Sequence, residues 1–80
     1  PAIERLGIPS LRMSDGPTGL RSVNSDPATV FPVGTALAAS FNPALVSKVA
    51  AVIGREAIAH GVDVLLAPGV NIQRTPLGGR

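Results

Sequence analysis

The chain has 80 residues, no cysteine and a single histidine, which excludes a disulfide staple and a thiolate or multi-histidine metal site. A net charge of +2, carried by scattered basic residues with two phenylalanines and no tryptophan or tyrosine, offers neither the basic patch nor the stacking platform that nucleic acid requires. No apolar run is long enough to span a membrane.

Hydrophobic residues make up 45% of the chain, almost all of them alanine, valine, leucine and isoleucine. Such composition suits strands and helices buried on several sides within a larger α/β protein. A chain this short buries only about 60% of its unfolded surface. It starts at Pro1 and stops at Arg80 in a glycine-rich run. The expectation is a piece of a longer protein, one partial domain over residues 1–80, cut at both ends.

Residues 1–10 carry Ile3, Leu6 and Ile8 around Glu4 and Arg5, and Pro9 pushes Ile8 toward extended geometry. A short helical turn or coil is expected here, followed by a strand over 11–14. That strand breaks at Asp15-Gly16-Pro17, where glycine permits unusual angles and proline removes a donor. Asp15 then lies at a strand exit, where α/β proteins place ligand-contacting groups. Its carboxylate accepts only, so sugar hydroxyls, amides, an arginine or a metal would meet it. An aspartate capping its own turn fits the same residues.

Ser22, Asn24, Ser25, Asp26 and Pro27 make residues 22–32 a polar loop. The small apolar run 33–39 reads as a short buried strand. The best-marked element follows. Asn42 is a strong N-cap and Pro43 sits at the first helical position. Phe41 and Val46 are spaced for a hydrophobic staple. The helix should run to about His60, with Gly61 as its left-handed stop. At about 100° per residue, Leu45, Val46, Val49, Val52, Ile53 and Ala57 share one face, opposite Ser47, Lys48 and Arg55.

Glu56 and His60 also fall on that apolar face. Glu56 could be a general acid with a raised pKa. The favoured reading is structural: a buried carboxylate bonded to His60, to an arginine or to backbone amides. Residues 62–68 then read as a buried strand leaving through Pro68, the second strand of a βαβ crossover. The loop 69–80 carries Arg74 and Arg80. If the two strands are parallel, Asp15 and this arginine-bearing loop share one rim.

Several chemistries drop out. The chain has no GxxxxGK[ST] and no GxGxxG opening a helix, so no phosphate cradle. The lone histidine lies within a helix and there is no GxSxG elbow, so no nucleophilic triad. Paired carboxylates would suit a glycosidase, but of Glu4, Asp15, Asp26, Glu56 and Asp63 only Asp15 is well placed. The residues alone support a polar small-molecule site on an α/β enzyme of unassigned reaction.

The run from Arg5 through Ser14-Asp15-Gly16-Pro17 to Arg21 strongly resembles the opening of the catalytic domain of glycoside hydrolase family 3. Phe31-Pro32, Ala38-Ala39-Ser40-Phe41-Asn42, the run from Leu66 to Ile72 and Pro76-Leu77-Gly78-Gly79-Arg80 follow in the family's order and spacing. The likeness covers essentially the whole chain and is greatest to β-glucosidases. It implies a fragment of an N-terminal (β/α)8 TIM-like barrel. The implied activity is retaining hydrolysis of terminal non-reducing β-D-glucosyl residues, with a small-molecule β-glucoside as partner and no metal or cofactor.

The resemblance also implies roles. Asp15 binds hydroxyls of the terminal sugar, and Arg80 contacts the same sugar. The family's nucleophile is another aspartate, in a later Ser/Thr-Asp-Trp-like motif. It lies beyond Arg80, as do a sugar-binding Lys-His pair and the acid/base residue. On this reading the chain holds part of a subsite and no catalytic residue. A non-catalytic sugar-binding or degenerate barrel module is the alternative, and a structural βαβ segment of another barrel enzyme is a third.

Overall fold

A computed structural model describes residues 1–21, 26–72 and 74–78. Its elements in order are a 3-10 turn (Glu4–Leu6), strand β1 (Met13–Asp15), helix α1 (Gly34–Ala39), helix α2 (Pro43–Ala59), strand β2 (Val64–Leu66) and a 3-10 turn (Pro76–Gly78). The expected opening turn is present. It is closed by paired hydrogen bonds between the backbones of Ile3 and Ile8, at 2.9 and 3.2 Å.

β1 and β2 pair in parallel, with Met13 opposite Val64, Ser14 opposite Leu65 and Asp15 opposite Leu66. The predicted βαβ order is therefore present, and the exits of both strands point the same way. Both strands are shorter than expected, three residues each, and β1 ends on Asp15 itself. Where the strands begin, the Asp63 and Val64 amides donate to the Arg12 carbonyl at 2.9 and 3.1 Å. The Arg12 amide donates to Asp63 Oδ2 at 2.9 Å.

The strand expected over residues 33–39 is absent. Gly34–Ala39 is helical and none of its residues is buried. The reason is local. After Gly34 and Thr35 the run Ala36-Leu37-Ala38-Ala39 consists of strong helix formers, and a surface position gives no sheet packing to override that preference.

α2 forms as its signals direct. Asn42 Oδ1 accepts the Leu45 amide at 3.0 Å, and Pro43 opens the helix. At the other end Gly61 takes φ 66°. The Val62 amide reaches the Ala57 carbonyl at 2.9 Å and the Gly61 amide reaches Ile58 at 3.0 Å, a closed left-handed cap. The expected staple does not form, since Phe41 is 92% exposed. Ile53 and Ala57 are the buried positions of the apolar face. Ala57 and Val62 form a small core with Leu20, against which Ala28 and Leu65 pack. Leu20 belongs to the turn after β1, so this core ties that turn to α2 and to the chain entering β2.

Candidate functional site

The turn after β1 is closed at its base. The Arg21 amide donates to the Asp15 carbonyl at 2.8 Å. Ser14 is buried, and its hydroxyl lies 2.8 Å from the Arg21 carbonyl and 3.1 Å from that of Asp15. A buried hydroxyl needs such partners, since leaving it unpaired costs about 1–3 kcal/mol. Residues 15 and 21 are thereby held side by side while Leu20 plugs into the core.

Two glycines let the turn pack closely. At Gly16 a Cβ would run into the Leu65 side chain of the neighbouring strand. At Gly19, φ is 111° and a Cβ would fall on the Thr29 carbonyl oxygen. The turn is thus wedged between β2 on one side and residues 29–31 on the other.

The pinched base brings two opposite charges to the surface. Arg21 Nη1 lies 3.7 Å from Asp15 Oδ2. Both line an open cavity of about 650 Å³ at the exits of the two strands. Pro17, Val30, Leu66 and Pro68 supply apolar wall, and Gly69 lies where the chain leaves β2. A carboxylate acceptor, a guanidinium donor and partly apolar walls suit a small molecule carrying several hydroxyls.

The expected rim is therefore present on the Asp15 side, with Pro68 and Gly69 reaching it from β2. The expected arginine is different. Arg80 lies outside the described residues, and Arg74 is exposed and does not line the cavity. Arg21 does, although sequence reasoning gave it no role. The available signal was a short glycine-bearing turn between Asp15 and Arg21, which can close only if its ends meet.

Glu56 does not line the cavity. Its carboxylate accepts the Thr29 amide at 3.2 Å on each oxygen, and the Thr29 hydroxyl on Oε1. The expected bond to a backbone amide is found, with Thr29 as donor, but Glu56 is half-buried and not buried as expected, and His60 meets it only through the main chain at 2.9 Å. Among the described residues no group of acidic or histidine side chains is arranged to hold a metal ion. No described helix is long and apolar enough to cross a membrane.

Comparison with known proteins gives the family. Residues 2–80 match the glycosyl hydrolase family 3 N-terminal domain. The chain is 52% identical over 82 residues to a probable beta-glucosidase I of Emericella nidulans, covering 99% of the chain and 10% of that protein. It is also 52% identical to a putative beta-glucosidase of Schizosaccharomyces pombe, with the same coverage. A thermostable beta-glucosidase B of Acetivibrio thermocellus is 49% identical over 88 residues, covering 98% of the chain and 12% of that protein. The chain thus spans about a tenth of the length of the curated relatives it matches. No solved structure gives a significant match. Matched over residues 2–80, the chain belongs to the N-terminal domain of glycosyl hydrolase family 3.

Proposed function

We propose that this chain is part of a retaining β-glucosidase that hydrolyses terminal non-reducing β-D-glucosyl residues, and that it contributes part of the sugar-binding subsite. The observation carrying this reading is the Asp15–Arg21 pair on a cavity at the exits of two parallel strands. The β-glucosidase names of relatives about half identical to the chain supply the reaction class. The β1–α2–β2 order is consistent with one segment of a (β/α)8 barrel, in which such exits face the active site.

In this reading Asp15 accepts from two neighbouring hydroxyls of the terminal glucose, and Arg21 donates to the same ring. Arg80, which lies outside the described residues, is the second arginine that this proposal assigns to the same sugar. In this proposal neither the nucleophile nor the acid/base residue is among these 80 residues, which bind sugar and do not carry the covalent step. Nothing in the proposed reaction calls on a metal or a cofactor. Charge-assisted hydrogen bonds of this kind are roughly twice as strong as neutral ones, so they can fix the anomeric centre while other groups react.

The test is to incubate the full-length protein with an aryl β-D-glucoside and follow the anomer of the released glucose. Turnover with β-glucose as first product supports the reading. Glucose binding without hydrolysis would leave only a sugar-binding module, and α-glucose as first product would exclude a retaining mechanism.

A further inference from the structure

Glu56 stands outside the cavity, yet two short links connect it to the cavity wall. It is half-buried on α2, and Thr29 is the hydrogen-bond partner of its carboxylate, through both amide and hydroxyl. Thr29 in turn abuts the Asp15 turn, its carbonyl oxygen filling the space beside Gly19. Two residues on, the Phe31 amide donates to the Thr18 carbonyl at 2.8 Å. Between these anchors Val30 is 85% exposed and lines the same cavity as Asp15. The segment from Thr29 to Phe31 has no regular secondary structure, so these anchors stand in for a ladder.

We propose that Glu56 is a positioning residue for the Asp15 cavity: by gripping Thr29 it fixes Val30 as a cavity wall and braces the Thr18–Gly19 edge of the turn that carries Asp15. The inference rests on the reading of that cavity as a sugar site. The bonds are charge-assisted and involve both carboxylate oxygens, which holds the orientation of Thr29 as well as its distance from α2. The turn is bound at its other edge by Ser14 and Leu65, so loosening Thr29 frees one side only. The sugar would then bind less tightly while the reacting groups, held elsewhere, continue to act. A residue that merely stabilised the fold would lower the folded fraction and leave the Michaelis constant of the folded molecules unchanged.

The experiment compares Glu56→Ala, Glu56→Gln and Thr29→Val in the full-length protein, below the onset of melting. Hydrogen exchange is followed in peptides covering residues 26–31 and 15–21, alongside KM and kcat for an aryl β-glucoside and the inhibition constant of glucose. For Glu56→Ala we expect faster exchange in both peptides and a rise of about tenfold in KM and in the glucose constant, with kcat within about threefold. Glu56→Gln keeps one acceptor and should return KM to within about threefold of the parent. Thr29→Val keeps the amide but loses the hydroxyl and should fall between them.

The proposal is overturned if exchange quickens in 26–31 alone while 15–21 and KM stay as in the parent. It is equally overturned if activity falls only with the folded fraction. Should Glu56→Ala not fold, Thr29→Val carries the same readouts. A parent protein that neither hydrolyses the glucoside nor binds glucose would defeat the sugar-site reading, and coupled or uncoupled exchange of the two peptides would still decide the role of Glu56.

Discussion

Arg21 Nη1 and Asp15 Oδ2 lie 3.7 Å apart, and their side chains are 81% and 58% exposed. An ion pair so open to water contributes well under about 1 kcal/mol to stability. The elaborate base of the turn, with its buried Ser14, is better explained by what the pair presents than by what the pair stabilises. Substitution should therefore separate binding from folding. Each charge-assisted bond to a substrate is worth roughly 1.5–3 kcal/mol. Asp15→Ala in the full-length protein should lose two and lower kcat/KM by about 10²–10⁴-fold, with little change in melting temperature. Asp15→Asn keeps one acceptor and should lose less. Label from a slow fluorosugar on the peptide containing Asp15, or azide rescue of Asp15→Ala, would instead identify Asp15 as the nucleophile.

Gly19→Ala should act through the backbone. At φ 111° an L-residue is strained by about 1–3 kcal/mol, and the new methyl would strike the Thr29 carbonyl. Exchange in residues 26–31 should quicken together with that in 15–21. An alanine variant with parental exchange and kinetics would show that the turn relaxes without cost.

How far the sequence could be read varies by element, for physical reasons. α2 was legible because its cap, its first-turn proline, its apolar period and its stop glycine all agree. α1 was misread because six residues with a single large side chain, Leu37, carry too little periodicity to separate a helix from a strand, and only surface exposure decides. Asp15 was legible as a strand-exit carboxylate. Arg21 was less so: the glycine-bearing turn hints that its ends meet, but the Ser14 hydroxyl bond to the Arg21 carbonyl that pins them is a three-dimensional contact. The role of Thr29 was hidden for a similar reason: its partner on α2 lies 27 residues away.

The cap on α2 is open to a direct check. Asn42→Ala removes the acceptor of the Leu45 amide and should cost about 1 kcal/mol. The loss should appear as faster exchange in the first turn of α2, with Asn42→Asp close to the parent. Equal protection in the alanine variant would mean that Pro43 alone sets the start of the helix.

The 80-residue chain by itself should neither melt cooperatively nor hydrolyse a β-glucoside. Fifteen large apolar side chains among the described residues are exposed, against Leu20, Ile53, Ala57 and Val62 buried with a small or apolar side chain. A two-stranded sheet also leaves both outer edges unpaired. Circular dichroism and an aryl glucoside assay on residues 1–80 check this. A sharp thermal transition with turnover above background would refute it.

The parallel register of β1 and β2 also has a consequence in time. Arg12 and Asp63, which start that pairing, are 51 residues apart. α2 needs only neighbours in sequence, so it can form within about a microsecond. The pairing must first close the long intervening loop, and such non-local contacts are the slow ones. Asp15 is the last β1 residue in the register, opposite Leu66. The cavity's carboxylate therefore waits on a slow, non-local pairing, whereas the contacts that build α2 are local and fast.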